Sequence, residues 1–355
     1  MQTDQPKEIR KGEELDITSL KGYLEKILGI SGDVKVSQFP SGFSNLTYLV
    51  ATSAGEYILR RPPFGAKIKS AHDMSREFRF LKALEKPFTK VPKPVFYCED
   101  ENVIGAPFYL MQRVSGVILR GFMKGADIPS PDQISRIAYS TIQTLAELHQ
   151  IDIYQHKLDI LGKAEGYVKR QVEGWNDRYD KSRTDDIGSV EEVRKWLKEN
   201  IPAVENTPAI IHNDFKYDNL VLDRQDLSTV IAVLDWEMAT IGDPLMDLGT
   251  TLGYWIEPTD PDIMKGLNLS PSYWPGNPTR QEVANYYQQF VGCELNNLLF
   301  YYVYGLFKIS VIVQQIYYRY QRGFTQDPRF ANLIDAVKAC GMMASKAIDQ
   351  DKISG

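Results

Sequence analysis

The stretch IIHNDFKYDNLVLD, residues 210–223, sets the reading of the whole chain. Its flanks, Ile210-Ile211 and Leu220-Val221-Leu222, are short apolar runs and read as buried strand ends. Between them stand His212, Asp214, Lys216, Asp218 and Asn219. A polar segment pinned at both ends by strands is a fixed loop, and fixed loops on rigid scaffolds are where chemistry concentrates. The alternative is a plain polar turn in which an Asp or Asn caps the backbone. The rest of the chain decides between the two.

Downstream, the run NLVLD is followed by a turn at DRQDLS and then by VIAVLDWE, which delivers Asp235 at the end of a second apolar strand. His212, Asp214 and Asn219 form H-x-D-x-x-x-x-N, so Asp214, Asn219 and Asp235 are expected on neighbouring strand ends and their loop. Carboxylate and amide oxygens suit a hard cation such as Mg²⁺. A carboxylate not bound to metal can accept the proton of an attacking hydroxyl. One Asp as base, with an Asn and a later Asp on metal, is the division of labour of phosphoryl transfer.

Moving outward, residues 16–29 read as a capped amphipathic helix ending at a glycine. VKVSQFPSGFSNLTYLVATSAGEYILRRP then alternates short apolar runs with Ser-Gly and Ala-Gly breaks, the pattern of three antiparallel strands. AHDMSREFRFLKALEK places Met74, Phe78, Leu81 and Leu84 at helical spacing, and PVFYCED and PFYLMQRV are two further strands. Beyond Gly116 the chain reads as mostly helical: ISRIAYSTIQTLAELHQI, 163–181, 189–199 and 281–350, with a two-strand interruption around the opening stretch and TVIAVLDWE. The expected class is α+β with two lobes, a strand-rich N-lobe over 1–114 and a larger helical C-lobe over 115–355, hinged near Val114–Gly116.

Composition fits an ordinary globular protein: 355 residues, 43% hydrophobic and 25% charged. A net charge of −5 gives no general attraction to nucleic acid or an anionic membrane. Cys98, Cys293 and Cys340 are odd in number and far apart, so they read as buried free thiols in a reducing, cytoplasmic setting. The charged N-terminus has no apolar segment of the kind a secretory signal needs. Residues 295–320 are apolar and aromatic, but Lys308, Gln314 and Gln315 interrupt the run, which reads as a buried helix rather than a membrane span. His149, at a helix end, has no chemical role; in GDPLMD, Asp243 reads as a turn or a helix start and Asp247 as a backbone cap.

Together, H-x-D-x-x-x-x-N, Asp235-Trp236-Glu237, GDPLMDLG (242–249) and SNLTY (44–48) resemble the aminoglycoside phosphotransferase branch of the protein-kinase-like superfamily. The LRRPP strand end (Leu59–Pro63), the AHDMSREFRFL helix and Y-x-x-R-Q-x-x-x-W (Tyr167–Trp175) are similar to kinase-like domains associated with acyl-CoA dehydrogenases. The resemblance covers roughly residues 20–330. It implies a bilobed protein-kinase-like fold, ATP and Mg²⁺ as cofactors, Asp214 as catalytic base, Lys216 on the transferring phosphate, and Asn219 and Asp235 on metal. His212 would brace the loop. Ser41, Gly42, Ser44 and Asn45 would lie along the ATP phosphates, although the fuller glycine-rich loop of protein kinases is absent. An arginine replaces the usual phosphate-binding lysine: Arg60, with its neighbour Arg61 as the alternative, and Glu77 as helical partner. Met111, Gln112 and Val114 would meet the adenine.

The region expected to form the acceptor site, Tyr167, Arg170, Gln171, Trp175, Tyr254, Trp255, Tyr302 and Arg319, is aromatic and basic. An acidic lining would suit a polycationic aminoglycoside; this one suits an acid, a phosphate-bearing group or an acyl thioester. The resemblance points to a small-molecule kinase whose acceptor is a hydroxylated molecule, with a hydroxyacyl-CoA as first choice. The rival readings are a non-catalytic nucleotide-binding module and a Mg²⁺-dependent phosphohydrolase. The intact Asp214, Asn219 and Asp235 argue against the first, and the hinge-like FYLMQRV against the second.

Overall fold

The computed structural model describes residues 5–39, 45–64, 73–267 and 270–354. The chain divides into two compact units. One holds residues 1–118 with 221–225 and 231–239; the other holds 119–220, 226–230 and 240–355. The first unit therefore includes Asp235, which a linear cut at 114/115 gives to the second.

The first unit opens with α1 (Ile17–Leu28). The Asp16 side chain accepts the Ser19 N–H, an N-cap worth about 1 kcal/mol. Gly29 ends the helix with φ 66°, a left-handed turn that favours glycine. Strands β1 (Lys35–Gln38), β2 (Leu46–Thr52), β3 (Gly55–Arg61), β4 (Pro94–Cys98) and β5 (Phe108–Gln112) form one antiparallel sheet in the order β1-β2-β3-β5-β4. Leu46, Tyr48 and Val50 alternate along β2 and pack with Leu59, Phe108, Leu110 and the Leu20 and Leu24 face of α1. α2 (Met74–Leu84) starts at the Asp73 cap. Its buried residues are Met74, Glu77, Phe80, Leu81 and Leu84. Phe78, expected on the core stripe, lies partly buried 6.1 Å from the Tyr97 ring, while the charged Glu77 points inward.

The second unit is mainly helical: α3 (Pro131–His149), α4 (Tyr167–Ser182), α5 (Gly188–Glu199), α6 (Pro244–Tyr254), α7 (Asp262–Gly266), α8 (Arg280–Val291), α9 (Leu298–Gln321) and α10 (Leu333–Gln350). The expected two-strand interruption is instead four short strands. β6 (Ala209–Ile211) pairs with β9 (Thr240–Gly242) in this unit, whereas β7 (Leu220–Leu222) and β8 (Val230–Val233) pair with each other and fall mostly in the first unit. Three-residue strands are too short to show a periodicity, so β9 left no clear sequence signal. α9 is long and apolar enough to cross a membrane, yet 78% of its apolar window is buried inside the protein. It crosses α6 at two glycines: a Cβ on Gly249 would meet the Tyr301 carbonyl oxygen at 2.1 Å, and one on Gly305 the Gly249 carbonyl oxygen at 2.1 Å. This close approach brings the polar residues of both helices to the loop that follows β6.

Candidate active site

In the second unit, β6 leads into the loop Ile211–Asn219. The loop's backbone is held by α6. Asp247, fully buried, accepts the His212 N–H at 2.6 Å and the Asn213 N–H at 2.8 Å. His149 Nε2 stands 3.2 Å from the same carboxylate, and His149 Nδ1 is 2.7 Å from the Tyr287 hydroxyl. Burial is the largest influence on the Asp247 carboxyl and pushes it up. His149 and the backbone bonds outweigh burial and hold it below the usual carboxylate range. Further support comes from Thr251 Oγ1, which donates to the Phe215 carbonyl at 3.1 Å. Asn213 adopts φ 67°, a left-handed conformation that asparagine tolerates better than most residues.

Asp214 follows, with its side chain 16% exposed. Its Oδ2 accepts from Lys216 Nζ at 2.5 Å and from Asn219 Nδ2 at 2.9 Å. Asn219 Nδ2 also donates to the Asp214 carbonyl at 2.8 Å, which leaves the amide Oδ1 as an acceptor. Burial raises the Asp214 carboxyl, but the Lys216 ammonium wins and holds it low, as an ionised carboxylate. The Lys216 ammonium also lies 4.7 Å from the centre of the Tyr254 ring. His212 is fully buried; its Nδ1 accepts the Asp214 N–H at 3.3 Å.

α9 adds a residue to which sequence reasoning gave no role. Lys308, 1% exposed, donates to the Asn213 carbonyl at 2.6 Å and lies 3.3 Å from its Oδ1. Tyr167 and the Asn213 side chain are hydrogen-bonded at 3.1 Å, and the Trp175 ring centre is 5.8 Å from the Lys308 ammonium. The only signal was a lysine inside an otherwise aromatic and aliphatic helix, which read as an interruption.

The first unit carries a separate ionic centre. Arg60 Nη1 donates to Glu77 Oε1 at 2.6 Å, and both side chains are buried. Arg60 also reaches Asp235 Oδ1 from Nη1 and Nη2, each at 3.1 Å, and Glu237 Oε2 at 3.7 Å. Asn45 Nδ2 donates to Glu237 Oε2 at 2.8 Å. Arg76, one residue before Glu77, donates to the Glu237 and Ala239 carbonyls. Burial, the largest influence on Glu77, pushes its carboxyl up; Arg60 opposes this and the Asp235 charge adds to it. Burial also disfavours the Arg60 cation, but Glu77 and Asp235 together hold it firmly charged. Arg61 faces away: its guanidinium donates to the Ile104 carbonyl at 2.8 Å and covers the Phe64 ring at 3.7 Å. Of the two arginines, Arg60 is thus the one paired with Glu77. Asp235 has φ 66° and a side chain 32% exposed, and its Oδ2 has no hydrogen bond among the described residues. Asp235 Oδ2 in the first unit and Asn219 Oδ1 in the second are each a hard oxygen donor of the kind Mg²⁺ takes.

Ser41, Gly42 and Ser44 lie outside the described residues. Met111 is buried at the end of β5. The Gln112 and Arg113 N–H groups donate to the Lys93 and Glu56 carbonyls, while the Val114 N–H has no partner among the described residues. Of the expected acceptor residues, Tyr167 and Trp175 stand beside the loop. Trp255 is buried, tilted against loop residue Tyr217 at 5.1 Å, with its indole N–H on the Pro278 carbonyl. Tyr302 lies against Arg280, which is held by Glu257 and Asp260. The Arg170 guanidinium turns back onto the Glu165 and Lys163 carbonyls, and Gln171 is half-buried on α4. Arg319 is exposed, eleven residues beyond Lys308 on one helix and hence about 16 Å along its axis. The structure does not gather these residues into one group.

A family model described as the phosphotransferase enzyme family (APH) matches residues 35–282. The chain is 36% identical over 352 residues to the rat protein named acyl-CoA dehydrogenase family member 11. That match covers 96% of this chain and 44% of the relative, so the chain spans less than half the length of the curated protein it resembles. A crystal structure assigned as an aminoglycoside phosphotransferase from Ralstonia eutropha JMP134 superimposes with a TM-score of 0.75 at 28% identity, over 94% of this chain and 99% of the other. Spectinomycin phosphotransferase, solved with ADP and spectinomycin, shares the fold at a TM-score of 0.59 and 12% identity, over 96% and 99% of the two chains. The α+β, kinase-like fold and the motif matches agree, and the chain belongs to the aminoglycoside phosphotransferase (APH) family of phosphotransferase enzymes.

Proposed function

We propose that the chain transfers the terminal phosphoryl group of ATP to an alcohol oxygen of a small molecule. The observation that carries this reading is Asp214: an ionised carboxylate on a loop fixed by buried hydrogen bonds, with Lys216 and Asn219 on one of its oxygens. In the proposed step the acceptor hydroxyl gives its proton to Asp214 as its oxygen bonds to the γ-phosphorus. The bond from that phosphorus to the bridging oxygen breaks, and ADP leaves. Lys216 exchanges its contact with Asp214 for the transferring phosphoryl oxygens. Mg²⁺, assigned to Asn219 and Asp235, would neutralise charge on the phosphate oxygens. Arg60, braced by Glu77, adds a permanent cation. Asn45 and the Met111–Val114 segment are assigned to the nucleotide. Such catalysis is mainly positioning and electrostatic stabilisation.

For the acceptor we infer a hydroxyacyl-CoA. Two observations support the class. The relative's name associates it with acyl-CoA chemistry. Aromatic and cationic side chains, Tyr167, Trp175 and Lys308, stand beside the loop, and the Asp247 carboxylate there is already taken by backbone N–H groups and His149 instead of being open to a polycation. The experiment is a transfer assay with γ-labelled ATP and Mg²⁺. It offers a hydroxyacyl-CoA, its free hydroxy acid, choline and an aminoglycoside, with Asp214→Asn as control. Label on the acyl-CoA alone, lost in the variant, is the expected result. Label on choline or the aminoglycoside overturns the acceptor class. Mg²⁺-ATP binding with no transfer to any acceptor and no hydrolysis overturns the enzyme reading in favour of a nucleotide-binding module.

A further inference from the structure

We propose that Lys308 is a positioning residue for Asp214: from inside α9 it grips the peptide unit that carries the proposed base. The inference rests on the phosphoryl-transfer reading of the loop. The peptide unit joining Asn213 to Asp214 is held at both polar ends. Its carbonyl accepts from Lys308 Nζ at 2.6 Å, and its N–H donates to His212 Nδ1 at 3.3 Å. The two preceding N–H groups are held by Asp247. Asn213 sits at φ 67°, so the chain turns sharply just before Asp214. Without Lys308 this peptide loses the ammonium contact on its oxygen and is freer to rotate, which swings the Asp214 carboxylate. A displacement of about 1 Å at a reacting group lowers rates on the order of 100-fold.

The choice of residue supports a role beyond packing. Lys308 is 1% exposed in a helix whose neighbours are Phe307, Ile309 and Val311. Burial brings its ammonium down to about 8, partly offset by Asp247 and Asp214, while Lys216 and Arg178 work against the charge. Trp175 covers one side. A leucine or methionine would fill the same space without that desolvation cost. The lysine supplies a donor that reaches the loop, which neither can.

The test compares wild type, Lys308→Met, Lys308→Arg and Asp214→Asn. It measures Mg²⁺-dependent ATP hydrolysis without acceptor, the thermal shift induced by Mg²⁺-ATP, and amide hydrogen exchange over residues 210–222. Lys308→Met is expected to keep its midpoint within about 5 °C and its KM for ATP within about twofold. Its kcat falls about 10- to 100-fold, and amides 213–216 exchange faster. Lys308→Arg, which keeps cationic donors, recovers part of kcat. A kcat within twofold of wild type with unchanged exchange overturns the proposal, as does a rise in KM and a fall in kcat that together track lost stability. Should Lys308→Met fail to fold, Lys308→Gln is read by the same criteria. If Asp214→Asn hydrolyses ATP as fast as wild type, the phosphoryl-transfer reading fails instead, and unchanged exchange in the lysine variants overturns the clamp separately.

Discussion

Arg60 and Asp247 are each the hub of a buried ionic centre, one in each unit, and they are wired in opposite ways. Arg60 is one cation facing three carboxylates, and two of those, Asp235 and Glu237, are partly open to solvent at 32% and 24%. Asp247 is one anion with no exposure, and its partners are two backbone N–H groups and a histidine. The first arrangement has surplus negative charge that a metal or a change of partner can satisfy. The second is closed, with donors and acceptors matched inside the protein. An exchangeable centre suits ligand binding, whereas a closed one suits holding a backbone still.

That contrast can be broken most directly at the loop the closed centre supports. Asp214→Asn keeps the size but not the basicity of the carboxylate. ATP-dependent transfer is expected to fall about 100- to 10,000-fold while the denaturant midpoint changes little; retained activity would remove Asp214 from the chemistry. Asp247→Ala should be the largest stability change. It orphans two buried N–H groups and the His149 contact, a loss of roughly 3–5 kcal/mol in urea unfolding. A loss below about 1 kcal/mol would mean that the closed centre is not the scaffold.

Lys308 sharpens the comparison through pH. Its amine is depressed to about 8 in the folded protein, against about 10.4 in an unfolded chain. Between these values the unfolded state binds more protons, so stability rises with pH across that window; below about 8 the burial cost is fully present. The gain is on the order of 3 kcal/mol, and the difference curve against Lys308→Met should show it. Glu77→Gln tests the exchangeable centre. It should raise the KM for ATP about tenfold by loosening Arg60, with a smaller Mg²⁺-ATP thermal shift. The smallest effect is expected for Arg319→Ala. This exposed residue should change stability by no more than about 0.5 kcal/mol and ATP hydrolysis hardly at all; a marked loss of transfer would return it to the acceptor site.

Several of these residues were legible before the fold was. Asp214, Lys216 and Asn219 sit within six residues of one another, so a loop pinned between strands brings them together whatever surrounds it. The family resemblance implied the pairing of Arg60 with Glu77, and the structure shows them in contact. Arg60 was preferred with Arg61 as the alternative, because alternation alone does not say which side of β3 faces α2; the structure puts Arg60 on Glu77 and Arg61 on the Ile104 carbonyl. Tyr167, Trp255 and Arg319 were grouped by composition. Two of them are buried against the loop, and the third lies on an exposed turn of α9.

By itself the sequence determined the local chemistry: which carboxylates, amides and cations lie a few residues apart, where helices begin at Asp16 and Asp73, and which strands alternate. These are short-range facts of spacing and backbone preference. Only the tertiary structure decided that β6 pairs with β9, that α6 and α9 cross at two glycines, and that Asp247 and Lys308 hold the backbone around Asp214. Those contacts join residues from 29 positions apart, Ile211 and Thr240, to 95 apart, Asn213 and Lys308. They depend on which buried polar group finds which partner once water has been excluded, and no local pattern encodes that choice.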